Sequence, residues 1–98
     1  MAHNLKDDKL AFLFEAILSL KDAEECYNFF EDLCTISEIQ EMSKRFFAAK
    51  LLSENFIYND ISNQTGLSTA TISRVNRCLK YGSDGYVVLL ERLKNKNE

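Results

Sequence analysis

The sequence predicts an all-α fold of about six helices, with a helix-turn-helix near the C-terminus and a short last helix after it. Three observations predict this. Apolar residues recur at helical spacing between turn residues. There is no proline, and all three glycines (Gly66, Gly82, Gly85) fall in the last third of the chain. No stretch alternates apolar and polar residues for long enough to demand a strand.

The elements follow in order. Leu10, Leu13, Phe14, Ile17 and Leu18 have the i, i+3, i+4, i+7, i+8 spacing of an amphipathic first helix. Asp22, with Glu25 three residues on, marks the start of a second, whose stripe is Ala23, Cys26, Tyr27, Phe30, Leu33 and Cys34. Thr35 and Glu38 form a capping box for a third helix carrying Ile39, Met42, Phe46 and Ala49. Phe47, Leu51 and Leu52 widen its apolar face past half the circumference, which predicts a central helix that also meets a partner chain. Asn55 is its stop. Two short helices follow, about 58–64 and 69–80, separated by Thr65-Gly66-Leu67-Ser68. Ser68 is an N-cap and Gly82 a helix stop. Asp84 caps a last helix with Tyr86, Leu89, Leu90 and Leu93 on its dry side.

Length and composition narrow the function. A lone chain of 98 residues makes one domain, 1–98, and buries only about two thirds of its unfolded surface. Yet 46% of its residues are apolar and 11% aromatic, which predicts apolar surface shared with a second copy, a homodimer. No apolar run reaches the ~20 residues of a membrane span, and the polar start MAHNLKDDK has no secretory core. Cys26, Cys34 and Cys78 are odd in number and lack CxxC spacing, so they read as reduced thiols in the cytoplasm. The only histidine, His3, sits near the start. Without a second histidine, and with Asp7-Asp8 and Glu24-Glu25 as adjacent rather than converging pairs, neither an enzyme nor a metal site is expected. The aromatics Tyr27, Phe29, Phe30, Phe46, Phe47 and Phe56 could stack bases, but at helical spacing they read as core or dimer interface.

The net charge of −3 hides an asymmetry. Residues 1–34 carry three lysines against eight acids, or −5. Residues 58–81 carry Arg74, Arg77 and Lys80 against Asp60 alone, or +2. A polyanion, if bound, meets residues 66–81.

That segment has the requirements of a helix-turn-helix. Gly66 supplies a residue free to take positive φ in the turn. Ser62, four residues earlier, is small where the helices come closest. Ile61, Leu67, Ile72 and Val75 pin the pair together. With Leu67, Ile72, Val75 and Leu79 inward, the outward residues of the second helix are Ser68, Thr69, Ala70, Ser73, Arg74, Arg77 and Lys80. Short side chains let a helix sink into a major groove about 12 Å wide, and hydroxyls and cations hold phosphates. Thr69, Ala70 and Ser73 are placed for base edges, and Arg77 and Lys80 for phosphate. Arg74 suits either role or a ligand, and Thr71 reads as a packing or helix-start residue. So few long side chains leave much of the reading to water and DNA shape. The partner class is double-stranded DNA. The rival is a protein-interaction module on the same fold, which the acidic net charge favours.

Thr65-Gly66-Leu67-Ser68-Thr69-Ala70-Thr71-Ile72-Ser73-Arg74, with Leu79-Lys80, resembles the tryptophan repressor family, its YerC/YecD branch more closely than the repressor proper. Thr35 to Arg45, including Glu38, resembles a second block of the family pattern. The likeness covers about residues 30–95, the first third of it in helical pattern only. It implies an intertwined homodimer: dimerisation helices in 1–55, a helix-turn-helix in 58–81, a C-terminal helix in 84–95, and two reading helices about one DNA turn apart. It also implies a corepressor pocket in which Thr35, Arg45 and Arg74 hold the ligand. Two departures count against tryptophan. Val75 stands where the family has a glycine that leaves room for the indole, and Cys78 stands where it has a serine. A different small molecule stays open, no other cofactor is implied, and Arg45 has a second reading as an ion-pair partner of Glu41.

Overall fold

A computed structural model describes residues 7–96, so His3 lies outside the described residues. Six helices follow one another: α1 (Asp8–Leu18), α2 (Ala23–Leu33), α3 (Ile36–Ser53), α4 (Tyr58–Thr65), α5 (Thr69–Tyr81) and α6 (Gly85–Lys96). Among the described residues there is no strand, and no helix is long and apolar enough to cross a membrane. The chain divides into two compact units, one through Ile39 and one from Gln40 onward.

The first unit is built from caps. A helix leaves its first N–H groups unpaired, and a side-chain oxygen just ahead of it can take one. Asp7, in extended conformation, accepts from the Leu10 N–H at 2.7 Å. Asp22 accepts from the Glu25 N–H at 2.9 Å, and the Glu25 carboxylate accepts from the Lys21 N–H at 2.9 Å. At α3 the predicted capping box is reciprocal: Thr35 Oγ1 accepts from the Glu38 N–H, and Glu38 accepts from the Thr35 N–H at 2.8 Å. What this unit lacks is an interior. Neither α1 nor α2 contains a buried residue, and Phe12, Leu18 and Tyr27 are 74%, 86% and 71% exposed.

The second unit holds the core. Ala48, Leu51, Ile61, Leu67 and Ile72 form one buried cluster, with Leu52 and Tyr58 packed against it. Ala48 and Ala49 are wholly buried on α3, and Ala48 lies in the cluster with Ile61 of α4 and Ile72 of α5. Phe47 and Met42 stay exposed, so the apolar face of α3 is wider than this unit alone covers. On the same helix Phe46 stacks on Tyr86 of α6, with ring centroids 6.1 Å apart.

The helix ends at Asn55, Gly66 and Gly82 have two physical causes. Asn55 ends α3 in the left-handed region (φ 69°), its N–H donating to Leu52 O and the Phe56 N–H donating to Leu51 O. This pair of bonds satisfies carbonyls the helix end leaves open. Gly66 ends α4 the same way (φ 77°), its N–H donating to Ser62 O at 2.8 Å. Gly82 ends α5 differently. Its φ is −85°, so the glycine is required by space, since a Cβ there would stand 2.4 Å from the Cys78 carbonyl oxygen. Asp84 departs from the extended cap its position predicts. Its backbone is left-handed (φ 66°), and its carbonyl accepts from the Val88 N–H.

The two glycines therefore separate in their response to substitution. Nothing lies within 4 Å of a Cβ on Gly66, so Gly66→Ala costs only the left-handed backbone, about 1–2 kcal/mol. Gly82→Ala must displace backbone and costs more. Urea unfolding midpoints of the two variants measure the order.

Candidate nucleic-acid interface

The geometry of α4 and α5 starts at the turn between them. Thr65, 8% exposed, donates its hydroxyl to Ile61 O at 2.7 Å and accepts from the Leu67 N–H at 3.1 Å. Ser62 donates its hydroxyl to Leu67 O at 2.8 Å. Ser62 was expected for its small size; its hydroxyl is also a tie across the turn. These bonds satisfy the polar groups of a buried bend, so Leu67 can enter the core with its backbone fully paired. Ile61 and Ile72 then meet across it, both at zero exposure.

Helix α5 is capped by Ser68, which is extended (ψ 156°) and accepts from the Thr71 N–H at 3.1 Å. Its hydroxyl hydrogen goes to Thr71 Oγ1, also at 3.1 Å. Thr71 is thus a helix-start residue, half-buried, as its place suggested. From there the helix has two sides. Ile72 and Val75 are buried and Leu79 is half-buried. Ser68, Thr69, Ala70, Ser73, Arg74, Arg77 and Lys80 are all exposed. At 1.5 Å rise per residue, Ala70 to Lys80 spans about 15 Å of helix. The first turn has no acid, and Lys80 lies in the last turn. Among the described residues the ion pair found is Lys50–Glu54, so Arg74, Arg77 and Lys80 are free of internal partners and Arg45 is not paired with Glu41.

A link the sequence reading did not include ties the two helices. Asn76 Nδ2 donates to Tyr58 Oη at 3.1 Å, joining the middle of α5 to the first residue of α4. No spacing rule marks such a pair eighteen residues apart.

Of the other residues singled out, Thr35 and Arg45 are exposed, and Thr35 is engaged in the α3 cap. Val75 is only 3% exposed and belongs to the interior, while Cys78 is exposed.

The model of the Trp repressor protein family matches residues 8–94. The chain belongs to that family. Within the Trp repressor family, it is 56% identical over 90 residues to the uncharacterized protein YerC of Bacillus subtilis (strain 168), covering 92% of this chain and 86% of that one. The solved structure of a TrpR like protein from Eubacterium eligens ATCC 27750 superposes with a TM-score of 0.89 at 59% identity, covering 92% and 93% of the two chains. A second solved structure, from Staphylococcus aureus, gives 0.88 at 48% identity, covering 92% and 90%. The Trp repressor resemblance drawn from Thr65–Arg74 and Leu79-Lys80 is therefore correct, as is the all-α fold.

The Thr35–Glu38 box has a pH signature. The Thr35 N–H and hydroxyl hold the Glu38 carboxyl below the usual glutamate range. A depressed folded-state value contributes stability above the ordinary glutamate value, and that stability fades as pH falls through the folded one. Glu38→Gln removes this contribution. Thermal melts of variant and wild type are expected to differ at neutral pH and to converge in acid below the glutamate range.

Proposed function

We propose that the chain is a sequence-specific, DNA-binding transcriptional regulator, acting as a repressor, that reads the major groove with α5 as an intertwined homodimer. The observation that carries this is one face of α5 and its cap: Ser68, Thr69, Ala70, Ser73, Arg74, Arg77 and Lys80 are exposed, each small, hydroxylated or basic, opposite a buried Ile72 and Val75. Thr69, Ala70 and Ser73 face base edges, Arg77 and Lys80 grip phosphate, and Arg74 serves either. Ser68 contributes mainly as the cap that starts the helix.

The dimer reading rests on the missing interior of α1 and α2. Exposed Phe12, Phe14, Leu18, Tyr27, Leu33 and Ile36 amount to more apolar side chain than a monomer leaves wet. A second copy, with residues 1–55 as the dimerisation helices, covers them. Two copies of 58–81 then present two α5 helices to successive turns of one duplex. Such a regulator is not an enzyme and works in the cytoplasm, where the DNA is.

Regulation by tryptophan is not part of the proposal. The family-derived ligand set is Thr35, Arg45, Arg74, Val75 and Cys78. Within it the Thr35 hydroxyl is already bonded to Glu38, and the Val75 side chain fills interior space where an indole needs a glycine. If a small-molecule corepressor acts here, it has a different shape.

The acidic net charge of −3, about twice that per dimer, favours one rival, a module that binds protein instead. Salt decides between them. Retention of the chain on sheared genomic DNA is expected to fall steeply with salt, because each neutralised phosphate releases counterions. Arg77→Ala is expected to weaken binding evenly across sequences and to flatten the plot of log affinity against log salt by about one unit. Added tryptophan is expected to change neither. No retention at low salt would establish the rival.

A further inference from the structure

The hydrogen bond between Asn76 and Tyr58 joins α5 to the start of α4. Asn76 Nδ2 donates to the phenol oxygen at 3.1 Å. A phenol that accepts keeps its own hydrogen to give away. Among the described residues no acceptor takes it: Tyr58 Oη occurs in no other internal hydrogen bond. The ring is not loose, because it packs against the cluster of Ala48, Leu51, Ile61, Leu67 and Ile72. Tyr58 is half-buried, its body anchored inside and its hydroxyl end brought to the flank of α5.

That flank borders the cationic face. Asn76 is followed directly by Arg77, and Ser73 and Lys80 lie three residues before and four after it, on the adjoining helical rows. All three are exposed. In a helix-turn-helix the first helix crosses the sugar-phosphate backbone while the second enters the groove. Tyr58 is the first residue of that first helix.

We infer that Tyr58 is a neutral phosphate donor of the DNA interface: its hydroxyl bonds a backbone phosphate oxygen beside the one held by Arg77 or Lys80, and Asn76 is the positioning residue that aims it. This rests on the DNA-binding reading above and adds to it a contact with no charge of its own. A neutral donor displaces no counterion, so its contribution is independent of salt, unlike those of Arg77 and Lys80. Tyr58 would also fix the angle at which α4 and α5 meet the duplex, because the ring that carries the donor is held by the core.

The test uses the full chain and sheared genomic DNA, with affinity followed by fluorescence anisotropy over a range of salt. Tyr58→Phe keeps the ring and removes one oxygen. It is expected to weaken binding about tenfold, the size of one hydrogen bond to a charged acceptor, with the salt slope unchanged. Asn76→Ala is expected to weaken binding by a smaller factor. The double variant is expected to bind no worse than Tyr58→Phe, since Asn76 acts through the phenol. Circular dichroism melts of all three variants establish that binding is measured on folded protein. Unchanged affinity in Tyr58→Phe overturns this inference alone, and so does an altered salt slope. Independent, additive losses overturn the positioning role of Asn76. Absence of any wild-type retention at low salt overturns the DNA reading and this inference with it.

Discussion

Ile61 and Ile72 are the two largest side chains wholly removed from water, and they come from the helices on either side of Gly66. The rest of the second unit depends on that meeting. It requires a three-residue link that turns the chain sharply while Leu67 dives inward, and a buried turn exposes polar backbone that something must satisfy. The Thr65 and Ser62 hydroxyls do this, with the left-handed Gly66 directly after Thr65. A core of so few side chains orients α5 because the cluster residues are all buried. A methylene lost at Ile72 is felt directly at the helix that carries Thr69 through Lys80.

Much of this was legible in the sequence, for identifiable reasons. Helix starts at Asp22, Thr35 and Ser68 follow from short-range chemistry in which partner and cap lie three residues apart. Gly66 and Asn55 mark left-handed turns because few other residues tolerate them. Buried Ile72 and Val75 follow from helical period, and buried Leu67 from its place one residue after Gly66 in the helix-turn-helix. What escaped was of three kinds. Gly82 looks like Gly66 in the sequence but answers to a close carbonyl rather than to positive φ, a distinction only three-dimensional spacing makes. The pairing of Asn76 with Tyr58 joins residues with no periodic relation, so no pattern could announce it. Asp84 failed as a simple cap because the chain after Gly82 enters α6 through a left-handed residue.

The apolar stripes of α1 and α2 raise a different matter, because period predicts a face without saying what covers it. Phe12 and Tyr27 lie on helices whose spacing is that of core helices, yet they stand in water. The caps at Asp7, Asp22 and Thr35 give these helices definite ends, but caps contribute only about 1 kcal/mol each. Helices of 11 residues are marginal in isolation. In the homodimer proposed above, burial of these stripes supplies the stability that caps and length do not.

The Ser68 hydroxyl, which donates to Thr71 Oγ1 and accepts from the Thr71 N–H, completes the first turn of α5 from within. The rod is finished before anything touches it. The proposed DNA target would then encounter a preformed shape, with little ordering entropy lost at the moment of contact. Encounter is consequently governed by diffusion and orientation rather than by a slow folding event.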